Sequence, residues 1–297
     1  MTPGVLGMGS ASFLSDLGHE IPTALLPGFL TSTLGASAAV LGVIEGISDA
    51  LAGAAKFAGG PPADDPARRR NIAVGGYVAT AALSALIGAA ASVAQVAVLR
   101  AGAWTARGLR VPARNALLAD VTSPEVYGRA YGFERAMDNL GAVFGPLLAL
   151  LLLSLVGVRW AIGLSVIPGV LAAAAIMYAI RSAPRLEPRQ RQPIRVRLRP
   201  LLKGRLGPLL VGISVFEAGN VAATLLILRA ESLLAPTHGT ATATRYALLL
   251  YAGYNLAATL VSLPAGRLAD RIDVGPVKVM AAGAALFCLA YIAFATA

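Results

Sequence analysis

Four arginines, Arg100, Arg107, Arg110 and Arg114, stand with Trp104 in an otherwise apolar stretch. Helical residues seven apart fall nearly in register, so Arg100, Arg107 and Arg114 line one face over about 21 Å, with Trp104 and Arg110 beside them. Acids recur at similar depth. Asp16, His19 and Glu20 occupy i, i+3 and i+4, and Glu45 and Asp49 occupy i and i+4, with Lys56 further along the same face. Glu134, Arg135 and Asp138 repeat the arrangement, and Glu217 with Asn220 marks another polar turn. Side chains of these types can carry protons, bind a charged solute or hold helices together as ion pairs. Burial disfavours the charged form of an acid, so an acid exposed alternately to two sides could load and release a proton. Asp16, Glu20 or Glu217 is the expected carrier. For Glu134, Arg135 and Asp138, a purely structural pairing with an arginine of 100–114 weighs as much as a functional role. His19 with two carboxylates could in principle ligate a divalent transition ion. One imidazole and two acids on a single turn is a weak metal signal, so a proton-relay or hydrogen-bonding role is expected for His19, and no metal.

These charges need elements that carry them through an apolar medium. The chain is 57% hydrophobic and 13% charged, with a mean hydropathy of +0.70, more apolar than a soluble domain can cover. It belongs in a bilayer. Its net charge of +10 sits mainly in short connections between apolar runs, which fits membrane topology and not a nucleic-acid-binding face. A single cysteine, Cys288, leaves no disulfide framework or thiolate metal cluster. No nucleophile with a base and no phosphate loop is present, so neither enzyme activity nor a cofactor is expected. The first apolar segment lacks a basic leader and carries Asp16, His19 and Glu20, so it is expected to be retained as a span.

Crossing about 30 Å of hydrocarbon takes about 20 helical residues. Nine segments meet that length, at roughly 5–30, 36–60, 71–91, 93–118, 126–156, 158–181, 206–231, 243–266 and 277–297. They must be helices, because unpaired backbone groups are not tolerated in lipid. With the N-terminus in the cytoplasm, inside connections hold sixteen Lys and Arg against three outside, Arg159, Arg229 and Arg245. The longest connection, Arg181 to Arg205, contains four prolines and nine basic residues and reads as a linker. A weak repeat supports that division. Gly60 and Asp64 precede Arg68 and Arg69 after the second span, and Gly266 and Asp270 precede Arg271 after the eighth.

In these residues the chain resembles the major facilitator superfamily of secondary transporters over essentially its whole length. Gly60, Asp64, Arg68 and Arg69 match the family's G-x-x-x-D-[RK]-x-G-[RK]-[RK] loop, with Asp65 and Ala67 departing from it; Gly266, Asp270 and Arg271 match in the second copy. Gly141, Gly145 and Pro146 are similar to the G-x-x-x-G-P pattern of exporters and antiporters, with Ala149 and Leu150 in place of its final glycines. Asp16, Glu20 and Pro27, together with GLRVPARNALLAD from Gly108 to Asp120, resemble a bacterial efflux subgroup. The resemblance implies an all-α, MFS-type helical bundle with two six-span halves. The chain stops after nine spans, so a truncated member is expected, with a six-helix bundle at 1–181, a basic linker at 182–205 and an incomplete three-helix bundle at 206–297. It also implies alternating-access transport of a small solute, first of all proton-coupled efflux. Alternatives are transport of a metabolite or metal ion, or a truncated membrane protein that transports nothing. The expected partners are the solute, protons and lipid, with no nucleic acid, in a monomer of the bacterial inner membrane.

Two further roles follow from geometry. Asp64 and Asp270 could accept helix N-terminal amides or pair with cations, and Arg68, Arg69 and Arg271 could reach carboxylates, making weak latches suited to gating. Gly141 and Gly145, four residues apart, could let the fifth span approach a neighbour closely, with Pro146 as a bending point.

Overall fold

The computed structural model describes residues 2–182, 206–219, 221–271, 273 and 275–296. Most of the linker and Asn220 lie outside the described residues, as does the side chain of Glu217. Within them the chain is helical, without strands. Helix α1 is Pro3–Gly28, followed by a π-turn at Phe29–Thr33; α2 is Ala38–Ala63, α3 Pro66–Leu86 and α4 Val93–Asp120. Helix α5 is Tyr127–Leu164 and α6 Val166–Ser182; α7 is Leu206–Ala218, α8 Ala223–His238, α9 Thr240–Ala269 and α10 Gly275–Thr296.

Local chemistry sets these boundaries. Thr2, Ser37, Asp65 and Ser92 accept a first-turn amide at the starts of α1 to α4, and prolines at the first position of α1 and α3 preset the helical φ. Gln95 Oε1 also accepts the Ala91 amide at 2.7 Å, which fixes the entry into α4. Gly157, with φ 77° and ψ 168°, breaks α5, so 127–156 forms one arm and 158–164 runs on into α6. Gly239, also at φ 77°, separates α8 from α9 with no other residue between them. Only glycine takes these conformations without strain. The seventh predicted segment, 206–231, is not one helix. It divides at 219–222 into α7 and α8, because Gly219 interrupts a run that stays apolar on both sides.

Four helical stretches among the described residues are long and apolar enough to cross a membrane: Ala38–Ala63, Pro66–Ala89, Pro124–Arg181 and Thr240–Ala269. Helices α1 and α4, of 26 and 28 residues, have the length but carry too many polar groups. They occupy the interior. Helix α1 packs chiefly against α5 and α6, α4 lies between α2 and α3, and α5 packs along α9. Large apolar side chains such as Val43, Ile47, Phe57, Leu155 and Trp160 face outward, as a lipid-facing surface requires.

The core has two apolar caps with a polar belt between them. One cap gathers Val5, Met8, Ala63, Tyr77, Leu117, Leu118 and Ile176 at the end bearing the 64–65 turn and Arg68 to Arg70, the basic end. The other gathers Leu26, Phe29, Leu30, Leu41, Ile87, Ile162 and Leu248. Of the buried charged residues, Asp16, Glu20, Glu45, Arg100, Arg110, Glu134 and Asp138 fall between the two sets along their helices, Arg114 borders the first set, and Arg69 lies at the basic end.

Candidate functional site

Helix α1 supplies one wall of the belt as a continuous polar stripe, Ser12, Ser15, Asp16, His19, Glu20 and Thr23, at three- and four-residue steps. Helix α4 faces it with its arginines. At the belt's upper edge Arg100, 1% exposed, donates from Nε and Nη2 to the two carboxylate oxygens of Glu45, at 3.0 and 3.1 Å. Its Nη1 donates to Thr23 Oγ1 at 3.2 Å, and its guanidinium carbon lies 3.4 Å from the Trp104 ring centre. The fork geometry matches both oxygens of one acid, which is why arginine can be held here at such depth. Trp104 Nε1 donates to Asp49 at 2.9 Å, so α2 and α4 are tied twice.

Below it, Arg107 Nη2 donates to Asp16 Oδ1 at 3.1 Å, and its Nη1 meets the His19 ring. His19 lies 3.2 Å from Asp16 Oδ1 and 3.3 Å from Glu20 Oε1. The His19 ring is thus held between the Arg107 guanidinium and the two acids. Glu20 Oε2 has no hydrogen-bond partner among the described residues. Tyr251 of α9 interacts with Glu20 and Asn255, which brings the second part of the chain to this acid.

At the basic end of the belt Arg114 Nη1 lies 2.7 Å from Glu134 Oε1 and 3.7 Å from Asp138 Oδ1, and Ser12 donates to Glu134 at 2.5 Å. Arg135, largely exposed, closes on Asp138 at 2.8 Å. The structural pairing considered for Glu134 and Asp138 is therefore present, with Arg114. Arg110 has a different setting. It donates to Ser15 Oγ at 2.7 Å and lies 3.9 Å over the Tyr77 ring, while its Nε and Nη1 have no hydrogen-bond partner among the described residues. Among the described residues, Asp16, Glu45, Glu134 and Asp138 each meet a guanidinium, whereas the ion-pair partner of Glu20 is His19.

Sequence reasoning missed Ser12, Ser15, Thr23, Tyr77 and Tyr251 as members of this network. The periodic stripe of small hydroxyls on α1 was the available signal for the first three. The two tyrosines carry none, since their partners are remote in sequence.

The turns near the basic end also take shape. Arg69 Nη1 lies 2.7 Å from Asp120 and its Nη2 3.4 Å from the Asp64 carbonyl; Arg68 pairs with Asp65 at 3.3 Å. Asp270, the residue ending α9, accepts the amides of Gly128 and Arg129 at 2.6 and 2.9 Å and lies 3.3 Å from Arg129 Nε. It caps α5 from another helix. The approach requires glycine, because a Cβ on Gly266 would overlap the Gly128 carbonyl oxygen and stand 3.0 Å from the Gly132 Cα. Gly60 has open space around it and Arg271 is exposed. Asp270→Ala is expected to lower stability by about 1 kcal/mol, the usual worth of a helix cap. Amide exchange should rise at Gly128 and Arg129; unchanged exchange there would contradict the assignment.

Gly141 and Gly145 set α5 against the Asp16–Glu20 turn of α1. A Cβ on Gly141 would overlap the Phe13 carbonyl oxygen and lie 3.0 Å from Asp16 Cβ, and one on Gly145 would overlap Glu20 Cβ. Pro146 is buried in the same helix.

Comparison with known proteins gives a consistent picture. Residues 8–297 match the Major Facilitator Superfamily. An uncharacterized protein of Mycobacterium tuberculosis is 29% identical over 188 residues, covering 63% of this chain and 46% of that protein. An uncharacterized MFS-type transporter of Methanocaldococcus jannaschii is 25% identical over 297 residues, covering 97% of this chain and 71% of its own length. The chain thus spans about half the length of the mycobacterial relative. Among solved structures, a bacterial homologue of the human lysosomal transporter Spinster, inward-facing and unoccupied, superposes with a TM-score of 0.59 at 18% identity, covering 90% of this chain and 62% of that one. Its occupied form gives 0.58 at 19% identity.

Proposed function

Because the chain belongs to the major facilitator superfamily, we propose that it is part of a secondary transporter that moves a small solute across a membrane by alternating access, driven outward by proton entry. The observation that carries proton coupling is Glu20. It is buried, contacts His19 and no guanidinium among the described residues, and stands where α1 meets Tyr251 of α9. A buried acid without a guanidinium partner can take part in coupling without an ion pair being broken. Asp16, bridged to the same imidazole and to Arg107, is its exchange partner. In this reading the Arg100–Glu45 pair is scaffold, because every contact that orients it is already made.

The division into 1–181, a basic linker and 206–297 follows from the same proposal, with α5 and α9 as the seam between halves. The Asp270 contact to the start of α5 then serves as a latch that opens in each cycle. Charge counts favour the cytoplasm for the basic end and the N-terminus, in a bacterial inner membrane. Outward direction rests on Gly141, Gly145 and Pro146, which match the exporter-like pattern.

Proteoliposomes carrying the chain, screened with amphipathic fluorescent solutes under an imposed pH gradient, provide the test. Glu20→Gln and Asp16→Asn are expected to abolish gradient-driven flux while solute exchange without a gradient persists. Gradient-driven flux that survives in both variants would sink proton coupling at this site. A wild-type chain that inserts and moves no solute would sink the transport reading itself.

A further inference from the structure

Of the four arginines on α4, three meet an acid: Arg100 meets Glu45, Arg107 meets Asp16 and Arg114 meets Glu134. Arg110 meets none among the described residues, although it is only 2% exposed. Its Nη2 donates to the Ser15 hydroxyl at 2.7 Å, while Nε and Nη1 are buried without an acceptor. The Tyr77 ring, centred 3.9 Å away, covers the flat face of the guanidinium and leaves the in-plane donors unused. A Cβ on Gly76 would overlap Arg110 Cβ, so α3 closes on the stem as well. A buried cation with idle donors is costly, and that cost calls for an acid that reaches it in some arrangement of the bundle.

The order of contacts along the two helices identifies that acid. Passing down α4, Arg100 bonds to Thr23, Arg107 to Asp16, Arg110 to Ser15 and Arg114 to Ser12, so α1 runs antiparallel beside it. Asp16 is thus the neighbour of the residue that Arg110 already holds, and the charges of Asp16 and Arg110 act on each other. Arg107 and Arg110 are three residues apart, about 4.5 Å along the helix axis. Glu134 and Asp138 are already engaged, by Arg114 and Arg135. We infer that Arg110 is a reserve counter-charge for Asp16, a positioning residue that takes the acid over when Arg107 releases it. Its place in a transport cycle rests on the alternating-access reading. There the carboxylate passes between two arginines less than one helical turn apart and is never left buried alone.

Unfolding midpoints of the full chain in detergent test the pairing with no measurement of transport. Arg110→Met removes a cation that has no acid in this arrangement, so its midpoint is expected to stay or rise. Arg107→Met is expected to cost about 2–4 °C, because Asp16 turns to Arg110. With both replaced, Asp16 has neither guanidinium, and the double variant is expected to lose at least about 4 °C more than the two singles together. In an Asp16→Asn background the same two substitutions are expected to be additive. Additive losses with Asp16 present, an Arg110→Met chain as destabilised as Arg107→Met, or an excess loss that survives Asp16→Asn would each overturn the assignment, the last by giving Arg110 to another acid. In proteoliposomes Arg110→Met is expected to lose most of its gradient-driven flux and Arg110→Lys to recover part of it; wild-type flux in Arg110→Met would overturn its place in the cycle. A wild-type chain that moves no solute would sink the transport reading alone, and the midpoints would still decide the pairing.

Discussion

Glu45→Ala is expected to destabilise the chain by about 3–5 kcal/mol, because it leaves the Arg100 guanidinium buried without its counter-charge. Arg100 is 1% exposed and both Glu45 oxygens are engaged by it, so neither water nor another acid can take over without repacking α2 against α4. Thr23 and Trp104 remain as contacts but supply no negative charge. Replacing both partners, as in Glu45→Leu with Arg100→Met, should recover most of the loss, since a well-packed apolar pair can match a buried ion pair. Unfolding titrations of the single and double variants in mixed micelles measure both quantities. A loss below about 1 kcal/mol in Glu45→Ala, the range of solvent-screened pairs, would show that Arg100 is wet.

Gly141→Val acts through shape. Its side chain would enter space held by the Phe13 carbonyl and the Asp16 Cβ, and the backbone nitrogen of Leu17 lies 2.9 Å from where the Cβ would stand. Overpacking of this kind costs about 1–3 kcal/mol, and backbone atoms cannot rotate out of the way as a side chain could. The expected result is a lowered unfolding midpoint together with a displaced α1, hence a broken contact between Asp16 and Arg107. Gly163→Ala is the control, since nothing lies within 4 Å of a Cβ there, and it should be close to neutral. Equal effects at the two positions would show that helix approach at Gly141 is looser than described.

The helical architecture is legible in the sequence because apolar runs of spanning length leave the backbone no other way to satisfy its hydrogen bonds. The turn between the fifth and sixth segments is legible for the same reason, as Gly157 interrupts two long apolar runs. The break at 219–222 is not, since a hydropathy window averages over one glycine and sees Val215 and Leu225 as continuous. Within the belt, residue types and depth can be read from helical spacing, and so can the neighbourhood of Asp16, His19 and Glu20. The pairing cannot. Arg100 finds an acid 55 positions away and Arg107 one 91 positions away, and which arginine meets which acid depends on helix order in space. Glu217 and Asn220 stay as sequence expectations alone.

Helix α1 is buried along most of its length and is not among the helices apolar enough to cross a membrane unaided. Each charged group at the middle of a lone inserted helix costs about 2.5–3.5 kcal/mol on insertion scales. The guanidinium that settles Asp16 lies on α4, which leaves the ribosome some 90 residues later. Biogenesis is therefore a matter of waiting. Helix α1 is expected to settle in the bilayer only once α4 has brought that counter-charge, with the glycine seam of α5 closing over the pair.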